Sequence, residues 1–177
     1  MSIYDLTKDP LYLEKALELG TRMKPAFSTG LGLPMSQINL ANGVRKSSSW
    51  TGGSVLLAEV GTIQLEFQSL SDRLNKEETR EFGDLASKVF ETLDPDREGG
   101  PTLPIRGQYP LFIDANNMRF RNNHISWGAM GDSFYEYLVK FWIYTGKAPN
   151  SRYCGLRHSL ISAKVQDVFQ HRKCKND

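Results

Sequence analysis

The chain has 177 residues, enough for one domain or a piece of a larger one. Its 40% apolar and 11% aromatic content can fill a core, which excludes a disordered chain. The formal charge of +2 is uneven: residues 148–177 hold six of the 22 Lys and Arg but only two of the 20 Asp and Glu, leaving residues 1–147 slightly acidic. That argues against a nucleic-acid partner, which needs a basic face on the folded part.

Four helices are predicted in chain order. The first opens at "DPLYLEKALELG", with Asp9 as N-cap, Pro10 as first helical residue and Gly20 near its end. The second runs from Ser54 through "VLLAEVGTIQLEFQSL" to about Leu70, apolar nearly all round when laid out at helical pitch. The third carries Phe82, Leu85, Ala86, Val89, Phe90 and Leu93 on one amphipathic stripe. The fourth starts near Asp132 and ends near Gly146. A handful of residues around "SDRLNK" joins the second and third helices. The other links are long, and within one of them "YPLFIDANNMRFRNNHIS" reads as two short strands about a polar turn. Ordered loops of that length are uncommon unless they do something. Short links on one side and long ones on the other predict an all-α fold of helical hairpins, a toroid or a barrel of paired helices.

No apolar run approaches membrane-spanning length, and "MSIYDLTKDP" is no signal peptide, so no targeting signal is visible. Cys154 and Cys174 both fall in the basic stretch, in no metal-ligand spacing. Three histidines suggest no nucleophilic triad, and "TGLGLP" reads as a turn rather than a phosphate cradle.

The carboxylates raise a sharper question. On the second helix as predicted, Glu59 is largely enclosed, and an unpaired buried charge costs several kcal/mol. It then has a cationic partner, holds a proton or lines a polar cavity. Glu66 reads as structural, paired or facing solvent. On the fourth helix Asp132 and Glu136 share one face among aromatics, with Lys140 the lone cation, and like charges so spaced repel by a few tenths of a kcal/mol. One reading is a capping box, "SFYE", with Ser133 as N-cap and Glu136 reaching back, or Asp132 capping instead. The other is a wet cavity lined by acids.

Three segments, "LAEVGTIQLEFQSLS", "YPLFID" and "ISWGAMGDSFYEYLVKFWIYTGK", resemble in order and spacing the class I α-1,2-mannosidases, glycoside hydrolase family 47. The resemblance covers roughly Tyr4 to Lys147. It implies part of an (α/α)7 barrel of helical hairpins with a small β-hairpin on the long-loop side. It also implies an inverting, calcium-dependent hydrolase that trims terminal α-1,2-linked mannose from high-mannose N-glycans. Carried over by residue, Asp132 is a catalytic acid, and Glu59 and Glu136 surround the sugar and the water shell of the calcium. Such a hydrolase holds its acid and base roughly 6.5–9.5 Å apart. Crowded carboxylates can also keep one proton available near neutral pH.

Two residues before Asp132, endoplasmic-reticulum members carry an arginine that sets branch preference. Met130 stands there instead, which is similar to the Golgi members. The implied location is the Golgi or endoplasmic reticulum lumen, with membrane attachment through an N-terminal anchor of the parent protein. The upstream catalytic glutamate, the catalytic base and the calcium-binding threonine are expected outside this chain. The expectation is therefore a partial catalytic domain, 1–147, followed by a divergent basic tail, 148–177. Alone it should be inactive, with apolar faces left uncovered. The rival class is a non-catalytic helical module that binds a glycan or a protein partner, with Glu59 and Asp132 structural.

Overall fold

A computed structural model describes residues 1–146. The fold is mostly helical with two small sheets. Helix α1 spans Ser2–Thr7 and α2 spans Pro10–Met23. Asp9 caps α2 as expected, its side chain accepting from the Leu11 N–H at 2.9 Å. The helix does not stop at Gly20. That residue is buried where α2 crosses its neighbours, and a Cβ there would stand 2.9 Å from Leu70 Cδ2 and 3.1 Å from Phe82 Cε1. Glycine here is a close-packing residue, not a terminator.

After α2 the chain makes a 3₁₀ turn at Lys24–Phe27 and a small antiparallel pair, β1 (Gln37–Ile38) with β2 (Arg45–Lys46). The predicted second helix is then corrected. Val55–Leu56 form β3, Leu57–Val60 form the one-turn helix α3, and Gln64–Leu74 form α4. β3 pairs antiparallel with β4, Phe112–Ile113. The helix from Ser54 therefore does not exist as one element: a strand partner more than fifty residues away claims its first residues. The break between α3 and α4 is stitched by Gln64, wholly buried, whose side-chain amide donates to the Val60 carbonyl at 2.7 Å and accepts from the Ile63 N–H at 3.0 Å.

The helix α4 extends to Leu74, so "SDRL" belongs to it rather than to the link. Asn75, in the left-handed region at φ 45°, ends it. A short 3₁₀ turn leads into α5, Arg80–Leu93, and the two helices form the central antiparallel hairpin. The predicted stripe of α5 faces inward: Phe82, Ala86, Val89, Phe90 and Leu93 are buried. The β-turn segment folds back as expected, with Ile113 opposite Phe120 and Pro110 opposite Ile125, although only β4 is regular strand. Helix α6 covers Asp132–Tyr144 and buries Phe134, Tyr135, Leu138 and Phe141.

One core unites these pieces. Phe134 meets Tyr109 at 5.1 Å between ring centroids, and Phe90 meets Phe141 at 5.2 Å. The Tyr109 hydroxyl donates to the Leu93 carbonyl at 2.8 Å, fastening the β4 region to the end of α5. At the other end, Arg73 of α4 grips Asp5 of α1 through two bonds of 2.6 Å. The outer helices do expose apolar side chains, Ile3 and Leu6 on α1 and Val139 and Ile143 on α6.

Candidate functional site

The loop before α6 fixes the backbone of Met130 and Asp132. Gly128 O accepts from the N–H groups of Gly131 at 3.1 Å and Asp132 at 2.9 Å, a tight turn that launches the helix. Gly131 is the N-cap, and no side chain caps the helix. The capping-box alternative is thereby corrected: Ser133 lies inside the helix and bonds to Asp132 Oδ1 at 2.9 Å through its N–H, while Glu136 forms an ion pair with Lys140 one turn on. Met130 adopts φ 73°, a left-handed conformation uncommon for a residue with a Cβ. Its carbonyl accepts from the Ala58 N–H at 3.0 Å.

That bond fixes the short helix α3 against the start of α6. Leu57 N–H donates to Leu111 O at 2.9 Å on one side, and Gly61 admits the Phe134 ring on the other. Glu59, beside Ala58, is thus carried by an element docked on the one that carries Asp132 and Glu136. All three are solvent-exposed. The expectation of an enclosed Glu59 is overturned, because the continuous helix that would have enclosed it is split. On α6, Asp132, Glu136, Val139, Lys140 and Ile143 form the exposed stripe opposite the aromatic core face.

Two features were not singled out from the sequence. Tyr137 donates its hydroxyl to Glu66 Oε1 at 3.0 Å, linking α6 to α4. Burial, then the Glu66 carboxylate, push the Tyr137 hydroxyl up to about 12. Trp127 stacks on Tyr135, 4.1 Å between centroids and 18° between planes, just ahead of the helix. The Tyr135 hydroxyl accepts from the buried Tyr109 N–H at 3.0 Å, and burial raises its pKa. The one hint of these links was the density of tyrosines in "SFYEYL".

Among the described residues, no three His, Cys, Asp or Glu side chains converge as a metal-ligand set. Glu59 on α3 and Asp132 and Glu136 on α6 therefore sit on contacting elements, each exposed, without forming a metal-ligand set. Among the same residues no helix is long and apolar enough to cross a membrane.

The fold has a known counterpart. An alpha-1,2-mannosidase from Trichoderma reesei superposes with a TM-score of 0.68 at 28% identity, over 84% of this chain and 28% of that one. The fold is that of a helix-rich glycosidase.

The profile of Glycosyl hydrolase family 47 matches residues 1–176, and the chain belongs to that family. A mannosyl-oligosaccharide alpha-1,2-mannosidase IA of Drosophila melanogaster is 36% identical over 148 residues, 83% of this chain and 21% of the fly protein. A mannosyl-oligosaccharide 1,2-alpha-mannosidase of Caenorhabditis elegans is 34% identical over 176 residues, 99% of this chain and 27% of its own length. The human endoplasmic reticulum mannosyl-oligosaccharide 1,2-alpha-mannosidase is 38% identical over 148 residues, 83% and 20%. The chain thus spans between a fifth and somewhat over a quarter of these relatives. Residues 148–177, set apart above as a basic tail, lie outside the described residues.

Proposed function

We propose that this chain is part of the catalytic domain of a calcium-dependent, inverting mannosyl-oligosaccharide 1,2-alpha-mannosidase, and that its helices are a portion of an (α/α)7 barrel. The observation that carries the reading is the Ala58–Met130 hydrogen bond, which docks the element bearing Glu59 on the turn that launches Asp132. Asp132 acts with an upstream glutamate of the whole enzyme on the leaving-group side, where the departing glycosidic oxygen is protonated, while a base elsewhere activates water on the opposite face. Glu59 and Glu136 accept hydrogen bonds from sugar hydroxyls, and Met130 shapes branch preference.

Calcium belongs to this reading as the cofactor of the whole enzyme, its threonine ligand lying beyond these residues. The substrate is a high-mannose N-glycan in the Golgi or endoplasmic reticulum lumen, with any membrane attachment through an N-terminal anchor of the parent. Residues 1–147 carry the catalytic-domain motifs and 148–177 a divergent basic tail. A polypeptide of these 177 residues alone releases no mannose.

Asp132→Asn in the full-length enzyme tests the reading. Turnover of an α-1,2-linked mannoside should fall about 10²–10⁴-fold, the usual worth of a general acid, with the melting profile kept. Unchanged turnover would overturn it and favour a structural Asp132 in a glycan-binding module.

A further inference from the structure

Trp127 is both open to solvent and held in place. It is 41% exposed, yet its ring lies nearly flat on Tyr135, 4.1 Å between centroids and 18° between planes. Tyr135 is buried, and its hydroxyl is tied to the Tyr109 N–H, so the backing of the indole is fixed. An indole has two faces. Tyr135 covers one, and among the described residues no other ring or cation covers the second.

The backbone beneath the ring is fixed as well. The Ser126 hydroxyl accepts from the Gly128 N–H at 3.0 Å, and a Cβ on Gly131 would stand 2.5 Å from the Ser126 carbonyl oxygen. The residue before Trp127 therefore presses on the residue before Asp132. On α6, Asp132 and Tyr135 are one i, i+3 pair, with Cβ atoms about 5–6 Å apart. Trp127 is thus tied to the neighbourhood of Asp132 twice, through Ser126 against Gly131 and through its own ring on Tyr135.

A ring already immobilised loses little side-chain freedom when a ligand covers it. What fits an open indole face is a second flat surface, apolar in the middle and polar at its edge. A pyranose offers that shape, with C–H bonds on its face and hydroxyls around it. The indole stands a helix turn and a stacking distance from the Asp132 carboxylate. The sugar it meets therefore lies beyond the two that flank the scissile bond.

We propose that Trp127 is a stacking platform for a sugar of the glycan beyond the scissile pair, and so a residue that sets preference for longer substrates. The inference rests on the mannosidase reading above and adds to it a contact that involves no carboxylate.

The experiment uses the full-length enzyme with a high-mannose oligosaccharide and with α-1,2-linked mannobiose, which is too short to reach the indole. Trp127→Leu keeps an apolar cover on Tyr135 and removes the platform. Its kcat/KM on the oligosaccharide should fall about three- to tenfold further than on mannobiose, with the loss in KM rather than kcat. Trp127→Phe, with a smaller ring, should fall between that variant and the parent. Equal losses on the two substrates overturn the proposal and leave Trp127 as a cover for Tyr135; no loss on either overturns it too. Where Trp127→Leu folds poorly, Trp127→Phe carries the same comparison, because its ring still rests on Tyr135. Full turnover in Asp132→Asn would instead defeat the mannosidase reading.

Discussion

The amide of Ala58 donates to the carbonyl of Met130 across 3.0 Å, and the acceptor is a residue at φ 73°. The bond joins the two motifs that sequence alone ties to chemistry, and it exists because the backbone turns left-handed at Met130 to present that carbonyl. The left-handed region costs a residue with a Cβ about 1–2 kcal/mol, and a β-branched one more.

Met130 therefore separates backbone from side chain. Met130→Gly should leave stability within about 1 kcal/mol of the parent, relief of strain offsetting glycine's entropy. Met130→Val should destabilise by more than about 1 kcal/mol. Urea denaturation of the three proteins checks both; equal losses would mean that the conformation at 130 is not strained.

Gly61 is the hinge of the same docking. A Cβ at this position would stand 2.3 Å from Phe134 Cδ2, a buried ring with no room to retreat. Gly61→Ala should cost about 1–3 kcal/mol as an overpacking change. The loss should be accompanied by faster amide exchange at Ala58, whose bond to Met130 the displacement would stretch. A shift in stability without that exchange signature would place the strain elsewhere.

Tyr135→Phe removes the acceptor of the buried Tyr109 N–H. Loss of a buried hydrogen bond costs about 0.5–1.5 kcal/mol, and the ring stack on Trp127 is kept. The expected result is a lower denaturation midpoint with Trp127 fluorescence in the folded state unchanged. An altered emission would show that the hydroxyl also sets the stack.

The Asp5–Arg73 grip predicts an acid dependence. The Arg73 guanidinium, through its hydrogen bonds and its charge, holds the Asp5 carboxyl below its usual range. A depressed folded value gives stability that is complete above the unfolded value of about 4 and is lost as pH falls through the folded one. The melting-temperature difference between the parent and Asp5→Asn should be constant above about pH 5 and shrink below about pH 4. Added salt should reduce it at neutral pH as well. A gap that persists at pH 2 would assign Asp5 a role other than charge.

Local signals carried the legible part of the fold. Asp9 and Pro10 start α2 as their chemistry requires, and the stripe from Phe82 to Leu93 faces the core as its spacing requires. Where the reading failed, a distant partner had intervened. Val55 and Leu56 look helical until Phe112 and Ile113 pair with them. The same loss explains Glu59: its enclosure was deduced from a helix that β-pairing cuts short. Ser133 failed as a cap because the turn on Gly128 already closes the start of α6. Asp132, Glu136 and Met130 were legible as a motif, yet the Tyr137–Glu66 bond was not, since nothing within either segment encodes the approach of the other.

The buried amide of Gln64 has a directional consequence. Seven residues along an uninterrupted α-helix bring a side chain back to nearly the same azimuth, so Glu59 and Glu66 would have pointed in parallel. The stitch resets that phase. The two stretches are tethered separately, the turn carrying Glu59 through the Ala58 amide to the carbonyl of Met130 and Glu66 to the phenol of Tyr137, so each can shift without dragging the other.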